Sequence, residues 1–573
     1  MQHIIFEESN AYSVALLIKN TSFNKSDIEK HYVEPLIKLG LDKSSIIAIS
    51  YNMNGSNKAP AKFVKEQLDI LLPILQEQKT THIYITDSSY FKVLTGVIKS
   101  EPHHGYSLPC KIKGYEHMHI VLGINHQALI YNPEVQSKLD LGLNALASSV
   151  QGTYTALGNG IIHSASYPQT LEAIEKALEQ LHQYPSLTCD IEGFSLRFEK
   201  AGIGTIAFAW DQHNGIAFPV DYYASYQGLS HQDSAWPGSQ IRNEPIRKLL
   251  KKFFETYKGE ITYHSATYDV KILIYELWMK DLLDTEGLLT GLDIMTARIH
   301  DTKIIAYLAT NTTAGNVLGL KALAHEFAGN WAKEDIKDIR KIPLPELLQY
   351  NLVDALSTHY VRNKYSPIMV RDNQLELYES LMLPSMKLIL QIELTGMPLN
   401  PEKVKEVKKT LEGIQQIHLD VLHNSNVIKA MNLLLQVNAM EAANAKLKVK
   451  QHPLEKFKDV AFNPNSGPQL QKLLYEQMGL PVIDLTDKKM PATGGDTLKK
   501  LINHTDEPAY KDLINALIGY SDVTKILNTF IPAFEEAVIK GDGITWLHGN
   551  FNLGGTVSGR LSSSDPYLLG LHS

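Results

Sequence analysis

Four carboxylates and one tyrosine carry residue types and spacings that could do metal-dependent chemistry. Asp190 and Glu192 stand two apart in the strand-like run SLTCDIEGF, where a period of two turns both side chains to the same face. Asp269 opens a helix-like stretch after GEITYHS, and Asp354 follows Tyr350 by four in LLQYNLVDALSTHY. On a helix those last two share a face. Carboxylates gathered in one place repel one another, and hard divalent cations are the usual compensation. Two such ions about 4 Å apart can activate a water and stabilise the leaving oxygen of a phosphodiester. Each piece alone is ordinary. A D-x-E triplet arises roughly once or twice by chance in a chain of this composition, isolated acids are solvated surface groups, and a lone Tyr350 reads as core packing with its hydroxyl at the rim. The signal is the ordered set of strand, helix and late helix.

The chain that must position these groups has 573 residues, enough for roughly three or four domains. Apolar residues make up 44% and charged residues 20%, an ordinary globular balance that excludes wholesale disorder or a fibrous repeat. Lys plus Arg is 55 and Asp plus Glu is 62, so 55 − 62 gives −7. A diffuse positive field is excluded, although a local basic groove could still hold a polyanion. Two cysteines, Cys110 and Cys189, cannot build a disulfide framework, which points to a reducing cytosol, so a cytoplasmic location is expected. MQHIIFEESN has no signal-peptide pattern, and no run approaches 18 apolar residues, so no membrane span is expected.

Residues 1–150 alternate strand-like runs (AYSVALLIK, SSIIAISY, THIYIT, MHIVLGI) with amphipathic stretches such as KFVKEQLDILLPILQEQ, an α/β pattern with no catalytic constellation. His103 and His104 are adjacent, poor spacing for a metal site, and read as a surface loop. Ser148 to Thr170 is rich in Ser, Gly, Thr and Asn and reads as a linker. Residues 168–370 begin with the helix LEAIEKALEQLHQ and three strand-like runs, the last two separated by QHNG. Asn214-Gly215 there predicts a tight hairpin turn, because both positions tolerate positive φ. Helices and strands then alternate, predicting a mixed sheet covered by helices. Residues 371–545 are mostly helical, with Asn400-Pro401 as an N-cap and first-turn proline. Residues 546–573 return to turn- and strand-like sequence.

LTCDIEGF, ITYHSATYDVKIL and YNLVDA resemble the three exonuclease motifs of the DEDD superfamily, in its tyrosine variant. HDTKIIAYLATNTTAGNVLGLKALAHEFAG between them resembles the matching segment of family A DNA polymerases. That resemblance implies an RNase H-like fold and 3′–5′ proofreading by two-metal-ion phosphodiester hydrolysis. Asp190, Glu192 and Asp354 would bind one Mg²⁺, Asp190 with Asp269 the second, with Mn²⁺ able to substitute, and Tyr350 would orient the attacking water. The second motif departs from the family pattern: His264-Ser265 stands where relatives often have His-Asn. Asp301 matches an acidic family position and is expected to be structural.

The resemblance continues C-terminally. LPSMKLILQIELTGMPLN resembles the helix leading into a polymerase domain, and FNPNSGPQLQKLLYEQMGLPV with PATGGDTLKKL resembles the thumb, where Asn465-Ser466 is expected to cap a helix. WLHGNFNLGGTVSGRLSSSDP resembles the T-x-T-G-R-L-S-S motif of the palm. Arg560 and Thr556 of that motif, with Asn465 and Ser466, are the DNA-contacting candidates this implies; Arg560 would reach the primer–template minor groove, which reports shape more than sequence. Lysines in KVKEVKK and AKLKVKQHPLEKFK are either solvated helix faces or phosphate contacts. After the motif the chain reads Pro566-Tyr567-Leu568-Leu569-Gly570 where relatives often have P-N-L-Q-N. The family's palm aspartates and fingers cations do not occur within the 573 residues.

The resulting expectation is an α/β plus α protein: the N-terminal portion of a phage-type family A replicase. Its partners would be a single-stranded 3′ end, primer–template DNA, a second polypeptide carrying palm and fingers, and a possible processivity factor. A free-standing 3′–5′ exonuclease and a noncatalytic DNA-binding scaffold subunit are the rival readings.

Overall fold

The computed structural model describes residues 2–53, 59–223, 239–310, 317–331, 338–445, 447, 451–486 and 490–564. Two compact units divide the chain: Met1–Lys280, Asp284–Gln391 and Leu553–Leu561 in one, Asp281–Leu283, Ile392–Asn552 and Ser562–Ser573 in the other.

The first unit contains two six-stranded sheets. In the N-terminal one the apolar runs become four parallel strands, Ile46–Tyr51, Val14–Lys19, His82–Ile85 and His119–Leu122, in that spatial order. Short antiparallel strands, His3–Ile5 and Ser107–Pro109, close the two edges. Near-continuous apolar sequence is what a parallel sheet covered on both faces requires, and a separate buried core lies on each face. The helix Ala61–Glu77 shows why one cover is helical: Val64, Leu68, Leu71, Leu72 and Leu75 are all buried, an apolar stripe at helical spacing.

His104 corrects one expectation. It is not on a surface loop: only 5% of it is exposed, because its backbone bridges to Leu122 at the sheet edge and its carbonyl accepts from His325 Nε2 at 2.8 Å. Ser148–Thr170 is likewise not a plain linker. A helix runs to Val150, Ile161 is buried against Ala328 and Val353, and Ser164–Ser166 adds an edge strand beside Asn214–Ile216.

The second sheet runs Ile299–Asp301, Glu260–Tyr263, Ser186–Glu192, Thr205–Ala209, Asn214–Pro219, Ser164–Ser166. Ser186–Glu192 runs parallel to Glu260–Tyr263 and antiparallel to Thr205–Ala209, with Asp190 opposite Ala207 and Glu192 opposite Thr205, so those side chains share a face. The 28-residue helix Leu344–Arg371 lies across that face, and Ala207, Ala209 and Ala217 are buried beneath its Leu348, Leu352 and Leu356. Small strand residues let the helix come close.

The same closeness overturns the Asn214-Gly215 turn. Both residues lie inside the strand Asn214–Pro219, and a Cβ on Gly215 would come within 2.7 Å of the Leu352 side chain. The reversal occurs just before, where Asp211 Oδ1 accepts from the backbones of His213 and Asn214 at 2.7 and 2.9 Å.

In the second unit the long helices Pro401–Asn424 and Pro508–Lys525 pack together around a core that includes Leu422, Leu473, Leu513 and Leu517. Asn400 caps the first as expected, accepting from Lys403 N–H at 3.1 Å. The cap at Asn465-Ser466 differs. Ser466 occupies the N-cap position without a side-chain hydrogen bond, and the Asn465 amide instead donates to the Tyr520 hydroxyl at 3.1 Å. Three lysines of KVKEVKK pair with carboxylates, Lys403 with Glu406, Lys405 with Glu402 and Lys408 with Glu535, which favours the solvated-face reading for them. A three-stranded sheet, Met397–Leu399, Thr545–Leu547 and Val538–Ile539, and the pair Asn550–Asn552 with Ser562–Ser564 complete this unit. Pro566 to Gly570 lies outside the described residues, as do Lys446, Lys448 and Lys450.

Candidate metal and nuclease centre

Three elements converge at the carboxyl end of the strand Ser186–Glu192. The strand contributes Asp190 and Glu192, and the long helix crossing its face contributes Asp354. One oxygen from each of these three lies within 4.8 Å of the others. Asp269 comes from the helix Ala266–Leu277; it is 4% exposed and accepts from the Ile191 backbone N–H at 3.1 Å. It therefore sits against the strand between the two acids, outside the tightest group. Tyr350 stands one helical turn before Asp354 on the same helix, where burial and then the Asp354 charge push the tyrosine hydroxyl's pKa up.

Asn351 and Thr205 set the orientation. Asn351 Nδ2 donates to Asp190 Oδ2 at 2.6 Å, and its own Oδ1 accepts from the Thr205 hydroxyl at 2.9 Å. Thr188 donates to the Ala355 carbonyl at 2.8 Å, pinning strand to helix one turn further along. The carboxylate is thus held from behind by a neutral amide that is itself held, an arrangement that typically supports metal ligands.

The electrostatics of the cluster are those of carboxylates crowded together out of water. Burial, then the charges of Asp269, Asp354 and Glu192, push the Asp190 carboxyl well above its usual range. Burial and Asp354 do the same to Glu192. Burial lifts Asp269 to about 8 and Asp354 to about 6. Lys321 counters this in part: its charge favours the ionised forms of Glu192 and Asp354, and its Nζ lies 5.5 Å from the Tyr350 ring centroid. One lysine does not balance four acids. Asp190, Glu192 and Asp354 could hold a metal ion, and an oxygen-only donor set suits a hard divalent cation.

Asp301 is occupied otherwise. Its oxygens accept from the backbone N–H groups of Ser265, Ala266 and Lys303 at 3.0, 2.9 and 2.8 Å, which fixes the start of the helix carrying Asp269. Ser265 there has φ +62°, a left-handed conformation in which asparagine is favoured among non-glycine residues. His264 is locked too, its Nε2 donating to the Leu318 carbonyl at 3.0 Å and its Nδ1 2.9 Å from the Thr302 hydroxyl. Burial pushes its pKa down to about 4, so it is a neutral structural group near pH 7.

The structure therefore brings Asp190, Glu192, Asp269, Tyr350 and Asp354 together. Asn351 and Lys321 were missed in the sequence. Asn351 precedes Asp354 by three and so shares its helix face, a signal that was there to read. Nothing in the spacing of Lys321 points to this centre.

Residues 166–369 match the 3′–5′ exonuclease family and residues 434–571 match DNA polymerase family A. Those two stretches of the chain are thus similar to a 3′–5′ exonuclease domain and to part of a family A DNA polymerase domain. The chain is 25% identical over 357 residues to the DNA polymerase of Bacillus phage SP01, covering 59% of this chain and 36% of that protein. It is 26% identical over 384 residues to the DNA polymerase of Escherichia phage T5, covering 63% and 40%. Against the thermostable DNA polymerase I of Thermus thermophilus it is 26% identical over 450 residues, covering 76% and 43%. The chain thus spans well under half the length of these relatives. Among the described residues, no helix is long and apolar enough to cross a membrane.

Proposed function

We propose that the chain removes nucleotides from the 3′ end of DNA, as the proofreading part of a family A DNA polymerase. The observation that carries this reading is the convergence of Asp190, Glu192 and Asp354, from a strand and a helix far apart in sequence, at separations within 4.8 Å. Asp190, Glu192 and Asp354 would hold one divalent cation and Asp190 with Asp269 a second, Mg²⁺ or Mn²⁺. When bound, such ions supply Lewis acidity and neutralise charge on the phosphodiester.

The remaining work falls to the chain's own groups. Tyr350, one helical turn before Asp354, holds the water that attacks phosphorus. Asn351 keeps Asp190 turned toward the cluster, and the Ile191 N–H does the same for Asp269. Hydrolysis places the water's hydroxyl on phosphorus and its proton on the departing 3′ oxygen, releasing a nucleoside 5′-monophosphate. Arg560, exposed on its turn, is the proposed contact to the duplex behind that end, with Thr556, Asn465 and Ser466 as further DNA contacts. Nucleotide incorporation would draw on palm and fingers groups supplied by a second polypeptide, and a processivity factor would be a further partner.

The test is digestion of a 5′-labelled single strand with Mg²⁺. Stepwise shortening from the 3′ end is expected, and an intact strand with either Mg²⁺ or Mn²⁺ refutes the reading. Primer extension by the chain alone should fail, and measurable synthesis would overturn the need for a second polypeptide.

A further inference from the structure

The segment Ile299–Thr310 is attached at both ends, and only one attachment is used by the chemistry above. At its start, Asp301 holds the backbone of Ser265 and Ala266, where the helix bearing Asp269 begins. Six residues on, Tyr307 is 3% exposed and packs against the loop Leu553–Leu561, which belongs to the same unit. Gly554 lies directly on the tyrosine: a Cβ there would come within 2.9 Å of the ring, and its φ is +70°. Glycine is required on both counts.

The Tyr307 hydroxyl donates to the Thr556 carbonyl at 3.1 Å. Thr556 Oγ1 in turn donates to the Arg560 carbonyl at 2.9 Å, and the Gly559 N–H reaches back to the Thr556 carbonyl at 3.4 Å. These bonds close a turn whose seat is the tyrosine ring and its hydroxyl. Arg560, at the end of the turn, is exposed.

We infer that Tyr307 is a positioning residue for DNA recognition: it sets the Thr556–Arg560 turn on the exonuclease body, so that the body that cuts a 3′ end also grips the duplex behind it. The inference rests on the proposed duplex contact of Arg560 and adds what fixes that contact in place. A buried ring and a hydroxyl bonded to a loop carbonyl could also be packing alone. Packing alone affects every substrate equally, whereas positioning of Arg560 affects only substrates with a duplex.

The experiment compares KM and kcat of the full chain with Mg²⁺ on a single strand and on a primer–template. Tyr307→Phe keeps the ring and removes only the hydrogen bond. It should raise KM for primer–template roughly two- to tenfold, the scale of one neutral hydrogen bond, with kcat unchanged, and so lower the preference for primer–template over single strand. Gly554→Ala, which displaces the turn from the ring, should shift the preference the same way. Arg560→Ala should shift it further, and the Tyr307→Phe/Arg560→Ala double variant should be no worse than Arg560→Ala alone, because the two act through one contact. If Arg560→Ala lowers the preference and neither Tyr307→Phe nor Gly554→Ala does, the role of Tyr307 is overturned while the reading of Arg560 stands. If Arg560→Ala has no effect, both fall. An equal loss on both substrates also overturns the inference, reducing Tyr307 to a structural support.

Discussion

The two sheets of the first unit have the same number of strands and similar helical cover, yet treat their acids in opposite ways. At the carboxyl ends of the N-terminal parallel strands, Asp87 caps a helix: its Oδ1 accepts from the backbone N–H groups of Ser89 and Tyr90 at 2.8 and 3.1 Å. In the second sheet Asp190 and Glu192 face Asp354, and Asp190's hydrogen bond comes from a side-chain amide. Backbone N–H groups lower the cost of a carboxylate's charge locally. Carboxylates turned toward one another keep that cost unless a cation meets it. The difference separates Asp87, which caps a helix, from Asp190 and Glu192, which face another carboxylate. Asp269 stands between the two kinds, accepting from the Ile191 backbone N–H and still raised by burial to about 8. The same difference applies within the second sheet, where Asp301 and Asp211 belong to the first kind.

The comparison breaks most visibly with Asp190→Ala combined with Glu192→Ala. That variant should lose 3′ digestion while keeping its far-ultraviolet circular dichroism; digestion at the parental rate would remove the centre from the chemistry. Asn351→Ala should be milder, costing about 10–100-fold in activity or metal affinity, the usual effect of a residue behind a metal ligand. Mg²⁺ titration of digestion rate measures it, and a loss independent of Mg²⁺ concentration would contradict the role given to the amide.

The pH dependence sharpens the contrast. Asp354 and Asp269 are raised to about 6 and about 8 in the fold, against about 4 in an unfolded chain. The fold binds these protons more tightly than the unfolded chain does, so the associated stability is present below about pH 4 and is lost as pH rises to 8. In EDTA the melting temperature should therefore fall between pH 5 and pH 8 from this cluster, and Mg²⁺ should raise it more at pH 8 than at pH 5. Equal protection by Mg²⁺ at both values would mean the acids do not repel as described. Asp87→Ala should give the smallest effect, about 1 kcal/mol of stability for a lost helix cap, with digestion unchanged. Loss of digestion there would erase the distinction between the two sheets.

The legible part of this centre was what local period carries. Alternation in the strand placed Asp190 and Glu192 on one face, and a four-residue step joined Tyr350 to Asp354. Asn214-Gly215 shows the opposite case: its local turn propensity was overridden because Leu352 of the crossing helix needs the space a glycine leaves. Asn465 is similar, its amide drawn to Tyr520 rather than to the helix it precedes. Tyr307 carried no sequence signal at all, since its partner lies some 249 positions away.

Sequence by itself settled which acids exist, their order and which pairs share a face, because side-chain direction repeats with backbone period. Only the tertiary structure decided which of those acids meet one another. That choice depends on how closely helix Leu344–Arg371 can approach its sheet, and the approach is set by alanines and a glycine on strands distant in sequence from the helix.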